Sequence, residues 1–356
     1  MKKIAFVCGN ISKRAGIERA VINLANILVH YSEITIVSAS STHSNVAPYN
    51  LDQRVNIIHG NIATPQSLFG VIAYSFKIIH LLKRITQQEK IDILVGTMCY
   101  INVSILFVPR ASRFAWEHFT ATFIRPVTRI LRSIFYRFAD AVVCLTKADA
   151  KHYKMNNVHV IPNCNSLEIG KDDYNRSSKT IVALGRLSSE KGFDMLLQTA
   201  VSIRAKHPDW HIDIYGDGRE RENLQTQILQ LEIDDFVTIY EPVSDVKEIL
   251  KSSSIYVMTS HYEGLAMVLL EAQCCGLPLV SFDCPNGPGE IISDGVNGYL
   301  VPPGDVEMLA DKINYLIENP EKRVEMSVNS RKNAENYTPE KIAQKWIDLF
   351  ESLEGK

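Results

Sequence analysis

Residues 255–271 read IYVMTSHYEGLAMVLLE. The first four are large or β-branched apolar residues, the pattern of a strand covered on both faces. A polar turn containing Gly264 follows, and from Leu265 to Met267 onward the chain reads as a helix. A buried strand passing through a glycine turn into a helix is the repeating unit of a parallel α/β sheet. In such sheets ligands bind outside the carboxyl ends of the strands, beside helix N-termini whose amides are free. The pattern recurs outward from this stretch, with strands expected at 180–184, 212–215, 237–240 and 278–281 in the second half. In the first half they are expected at 4–8, 34–38, 91–95, 141–145 and 158–161, between amphipathic stretches at 18–30, 68–87 and 126–138. The expected fold is α/β, two Rossmann-like domains facing each other across a cleft, and 356 residues suit two cores better than one. The polar stretch from Glu168 to Lys179 breaks the pattern. It suggests an N-terminal domain at 1–168, a linker at 169–179 and a C-terminal domain at 180–335, with residues 336–356 forming a helix that packs back toward the first domain.

Composition excludes several classes. Hydrophobic residues make up 46% and charged residues 22%, an ordinary globular balance. The apolar run after Met1-Lys2-Lys3 is too short for a signal segment or a membrane span, and reads as a first strand. Seven cysteines without a C-x-x-C pair suggest neither a disulfide framework nor a structural zinc site, which fits a reducing cytoplasm. The net charge of −2 hides an asymmetry: residues 1–168 hold 19 Lys and Arg against 9 Asp and Glu, and residues 169–356 hold 19 against 31. A basic first half is suited to phosphates or an anionic membrane surface, or simply to attraction between the two domains.

Four segments of the second half fall where strand-end loops belong. Gly185-Arg186-Leu187-Ser188-Ser189-Glu190-Lys191-Gly192 puts two cations ahead of a helix. A guanidinium grips phosphate bidentately and an ammonium supplies a mobile point charge, although solvated surface cations would be spelled the same way. Gly216-Asp217-Gly218 reads either as a place where backbone approaches a ligand or as a tight strand-to-helix turn. Glu263 and Glu271 place one carboxylate before the helix and one about a turn inside it, the second suited to ribose hydroxyls. In Cys284-Pro285-Asn286-Gly287-Pro288-Gly289, prolines fix a loop whose glycines open its amides.

In this order and spacing the segments resemble the donor-binding domain of glycosyltransferase family 4, retaining enzymes of GT-B fold, and the resemblance runs over essentially the whole chain. Carried over by position, it implies that Arg186 and Lys191 bind the donor diphosphate, that Glu263 lies by the transferred sugar and that Glu271 holds the ribose. It also implies that amides at Gly264, Leu265 and Ala266 meet sugar and phosphate oxygens, with Gly185 and Gly216 completing the donor loops. In the first half, Gly16 would open the first helix toward the phosphates, with Ala15 standing where the family usually has another glycine. His118, in Phe114-Ala115-Trp116-Glu117-His118-Phe119, resembles the family's strand-end histidine beside the transferred sugar. The implied catalytic set is His118, Glu263, Arg186 and Lys191.

The chemistry implied is a retaining transfer of a hexose or N-acetylhexosamine from a UDP-sugar to a sugar or lipid-linked glycan, as in bacterial polysaccharide and glycan assembly. No D-x-D pair is placed at the cleft, so neither metal nor other cofactor is expected, the cations and helix terminus stabilising the departing diphosphate. No nucleic-acid partner is expected. A non-catalytic or differently specialised GT-B sugar-nucleotide-binding protein stays open, as does a phosphorylase- or epimerase-like relative; a dinucleotide enzyme is disfavoured because no G-x-G-x-x-G follows the first strand. Residues 122–138 hold Arg125, Arg129, Arg132 and Arg137 and no acid. Helical spacing puts Arg125, Arg129 and Arg132 near one face and leaves Val127, Ile130, Ile134 and Phe138 for another. This is either a basic amphipathic helix for an anionic membrane surface or a domain helix with an apolar core face and solvated arginines. The expected location is the cytoplasm, with or without peripheral attachment to the inner face of the membrane.

Overall fold

A computed structural model of the chain describes residues 1–13, 15–41, 50–65, 67–120, 126–171, 174–243 and 245–353. It divides into two compact units, Met1–Cys164 with Pro339–Lys356, and Asn165–Thr338. The first is built on strands β1 (Lys3–Cys8), β2 (Glu33–Ser38), β3 (Asn56–His59), β4 (Ile93–Gly96), β5 (Ser112–Glu117), β6 (Ala141–Cys144) and β7 (Val158–Val160). Their spatial order is β3-β2-β1-β4-β5-β6-β7, and every pairing is parallel. The second unit holds β8 (Thr180–Leu184), β9 (His211–Tyr215), β10 (Val237–Tyr240), β11 (Ile255–Met258), β12 (Leu279–Phe282) and β13 (Gly298–Val301). Their order is β10-β9-β8-β11-β12-β13, again parallel throughout.

Strands β4, β6, β11 and β12 are buried at every residue, which is why they read as continuous apolar runs rather than alternating ones. The edge strand β3 was not expected from the sequence; its residues are only partly covered, which blunts the apolar signal. In each sheet the order reverses beside the first strand, between β1 and β4 and between β8 and β11. Loops leaving such neighbours run to opposite faces and open a crevice at their carboxyl ends.

The boundary between the units falls earlier than the polar stretch suggests. Residues 169–179, expected as a linker, belong to the second unit where described: Gly170 N donates to Cys274 O at 2.8 Å, and Tyr174 OH donates to Ser254 O at 2.8 Å. Asp172 and Asp173 of that stretch lie outside the described residues. A segment whose backbone polar groups are satisfied on a neighbouring sheet has the same composition as a solvated connector, and only the contacts separate them. At the other end, residues 336–338 stay with the second unit and the helix Pro339–Ser352 belongs to the first. There Trp346 is fully buried, edge-on to Trp116 with ring centroids 5.2 Å apart, and Phe350 meets Phe114 at 5.2 Å. Burying aromatic surface of this size stabilises by about 3 kcal/mol per side chain. Among the described residues no helix is long and apolar enough to cross a membrane.

Candidate functional site

At the carboxyl ends of β8 and β11, two loops are fastened together. Thr259 Oγ1 donates to Lys191 O at 3.1 Å, and His261 N donates to Glu190 O at 2.9 Å. Gly192 takes φ +60°, and a Cβ there would come within 2.3 Å of Thr259 O, so any side chain would force the loops apart. This fastening sets Lys191 beside Glu263. Lys191 Nζ lies 2.6 Å from Glu263 Oε1, and Ser260 Oγ donates to the same oxygen at 2.7 Å. The lysine and glutamate side chains are 22% and 12% exposed, so the pair is partly withdrawn from water yet open to a ligand. Arg186 is exposed on the same β8 loop. Partial burial alone would raise the Glu190 carboxyl, but hydrogen bonds from Ser188 and the backbone, with Arg186 and Lys191 nearby, hold it below its ordinary value.

The helix Met267–Cys274 starts at Ala266 without a side-chain cap. Its first amides therefore present the positive end of the helix with no side-chain acceptor at the cap. Leu265 and Ala266 are buried and Gly264 half-buried; the Pro285–Pro288 loop backs this turn, since a Cβ at Gly287 would lie 3.2 Å from Glu263 Cβ and 3.3 Å from Ala266 N. One turn into the helix, Glu271 is 2% exposed and Ser166 Oγ donates to its Oε1 at 2.5 Å. The sequence reading missed this partner of Glu271, because 105 positions separate Ser166 from it and a single serine carries no local pattern.

Gly185 and Gly216 meet each other. A Cβ at Gly216 would come within 1.9 Å of Gly185 O, and Gly185 N donates to Tyr215 O at 3.1 Å. Of the two readings of Gly216, these contacts favour the tight turn that joins the ends of β8 and β9.

In the first unit, Gly16 begins the helix Gly16–Leu28, which has no side-chain cap, and an added Cβ would meet nothing within 4 Å. His118 follows β5, half-buried, its ring centroid 4.3 Å from that of Trp116. Burial pushes its imidazole down to about 3, so it is neutral at pH 7, and Nε2 makes no hydrogen bond among the described residues. A neutral ring can exchange hydrogen bonds with a sugar hydroxyl but does not serve as a cation.

The side chains of residues 126–138 are not placed as either reading expected. Arg132, expected with Arg129 on a solvated or lipid-facing basic face, is only 3% exposed and pairs with Glu117. Glu117 also accepts from Asn102 Nδ2 at 2.9 Å and from Tyr136 OH. A carboxylate at the end of a buried strand needs such compensation, and Arg132 supplies it. The apolar positions expected to face the core point outward instead: Val127, Ile130, Ile134 and Phe138 are 47–61% exposed. Arg125 lies outside the described residues.

The family described as Glycosyl transferases group 1 matches residues 168–333. A Haemophilus influenzae protein described as an uncharacterized glycosyltransferase is 33% identical over 98% of this chain and 100% of its own. A Campylobacter jejuni alpha-1,4-N-acetyl-D-galactosaminyltransferase, named for a diNAcBac-PP-undecaprenol-linked GalNAc glycan, is 25% identical over 100% of both chains. Among solved structures, Anabaena HepE in complex with UDP superposes with a TM-score of 0.80 at 19% identity, covering 99% of this chain and 100% of that one. At that identity the likeness establishes the fold, two parallel-sheet Rossmann-like domains of GT-B type.

Proposed function

The chain belongs to the group 1 glycosyltransferases, and we propose that it is a retaining member of family 4. In this reading it moves a hexose or N-acetylhexosamine from a UDP-sugar to a sugar or lipid-linked glycan, within bacterial polysaccharide or glycan assembly. The observation that carries the reading is the Lys191–Glu263 pair, held at the β8/β11 switch point beside an uncapped helix N-terminus. A sugar diphosphate needs a cation for its phosphates, a carboxylate for its hydroxyls and amides for its remaining oxygens, and this point offers all three. UDP is supported by HepE, which binds it on the same fold, and a lipid-linked acceptor by the undecaprenol-linked glycan named for the Campylobacter relative. Such an acceptor would place the protein at the cytoplasmic face of an anionic membrane.

In the proposed reaction, Arg186 and Lys191 hold the diphosphate while Glu263 positions the sugar. As the bond between the anomeric carbon and the β-phosphate oxygen breaks, an acceptor hydroxyl oxygen bonds to that carbon from the same face. Its proton passes to the departing phosphate oxygen. The cations and helix amides stabilise the charge growing on the diphosphate without a metal or other cofactor. Proton NMR of the product should show the donor's anomeric configuration retained; an inverted product would refute the retaining assignment. Turnover should survive EDTA, and activity abolished by EDTA but restored by Mn²⁺ or Mg²⁺ would overturn the metal-free reaction.

Glu271 has a separate role in this reading, as acceptor for the ribose hydroxyls. Glu271→Ala should weaken UDP binding about ten- to a hundredfold, the effect of losing a hydrogen bond to a charged group worth roughly 1.5–3 kcal/mol. Calorimetry giving the same UDP affinity in the variant would remove Glu271 from the ribose site.

A further inference from the structure

Resting on the ribose role proposed above for Glu271, we infer that Ser166 occupies the place of a ribose hydroxyl on that carboxylate and that the donor nucleotide must displace it. Glu271 lies one turn inside the helix Met267–Cys274 and is 2% exposed. A carboxylate so far withdrawn from water needs hydrogen-bond donors on its oxygens. Ser166 supplies one, its Oγ donating to Oε1 at 2.5 Å. An alcohol is also what a ribose brings, so the serine and the sugar compete for the same acceptor. The two neighbouring hydroxyls of a ribose meet a carboxylate with one on each oxygen, which calls on Oε1 as well as Oε2.

The backbone on either side of Ser166 is fixed while its hydroxyl is not. Asn165 N donates to Tyr337 O at 2.7 Å, Asn165 Nδ2 donates to Ala334 O at 2.8 Å, and Gly170 N donates to Cys274 O at the far end of the Glu271 helix. Ser166 itself is exposed. Rotation about one side-chain bond therefore takes the hydroxyl from the carboxylate to water with the backbone unmoved. A molecule in which Ser166 holds Glu271 does not accept a ribose there, so the apparent donor affinity falls with the fraction left open. Ser166 thus sets donor affinity by competition, whereas Glu271 sets it by binding.

Titration calorimetry of the full chain tests this with two ligands, UDP and its 2′,3′-dideoxy analogue, with thermal unfolding recorded for each variant. Ser166→Ala should bind UDP about three- to tenfold more tightly than wild type, the effect of removing one competing hydrogen bond. It should bind the dideoxy analogue as wild type does, because that ligand has no hydroxyl to place on Glu271. Ser166→Thr keeps the hydroxyl and should restore wild-type UDP affinity. Ser166→Cys, similar in size to serine but a weak donor, should shift UDP affinity in the same direction as alanine and serves where the alanine variant is unstable. Wild-type or weaker UDP affinity in both the alanine and the cysteine variants would overturn the proposal, weaker binding making Ser166 a member of the ribose site. So would an equal gain with the dideoxy analogue. If neither wild type nor variant binds UDP, the nucleotide reading itself fails and the inference falls with it; wild-type UDP binding without the gain sinks the inference alone.

Discussion

Lys191→Ala is expected to lower the rate of sugar transfer about 100- to 1,000-fold, the usual consequence of removing one positioned donor to a developing anion. The ammonium is fixed before any ligand arrives: Gly192 locks the loop against Thr259, and Glu263 holds Nζ at 2.6 Å. A charge already aimed at the departing diphosphate needs no rearrangement during the reaction, so its loss should fall on kcat more than on donor KM. Arg186→Ala should act in the same sense. The measurement is steady-state transfer alongside UDP binding and thermal unfolding of the same variant. A folded Lys191 variant turning over within threefold of wild type would show that the pair is structural.

Arg132→Ala should destabilise the first unit by about 3–5 kcal/mol, because it leaves a buried carboxylate without its counter-charge. Among the described residues, Glu117 would keep Asn102 and Tyr136 as partners. Replacing both members together, Arg132→Met with Glu117→Gln, should restore most of the loss, since a volume-matched neutral pair in a buried site often costs little. Urea unfolding of the full chain decides it. A loss below about 1 kcal/mol for the single variant would mean that water or another group reaches Glu117 and that the helix is not anchored through Arg132.

Residues 255–271 disclosed the architecture because a strand buried on both faces, a glycine turn and a helix each have a local signature, and the topology places their junction at the switch point. The cation and carboxylate loops were legible for the same reason: strand-end position is readable from periodicity. What was missed depended on packing between distant positions. A helical wheel identifies faces but not which one turns inward; Glu117, 15 residues from Arg132, decides that. The Ser166–Glu271 contact spans 105 residues. Gly216 read equally as a ligand glycine or a tight turn, and the approach of Gly185 O to where its Cβ would be favours the turn; the polar stretch at 169–179 looked like a linker until its hydrogen bonds to the second unit were seen.

The central claim, that the second unit holds a nucleoside diphosphate at the ends of β8 and β11, is tested most directly by titration calorimetry of the full chain with UDP and UMP. Because Arg186 and Lys191 would act on the diphosphate, the account predicts saturable binding of one UDP per chain and weaker binding of UMP, with the difference shrinking in Lys191→Ala. Absence of UDP binding at millimolar concentration, or equal affinity for UDP and UMP in the wild type, would contradict it.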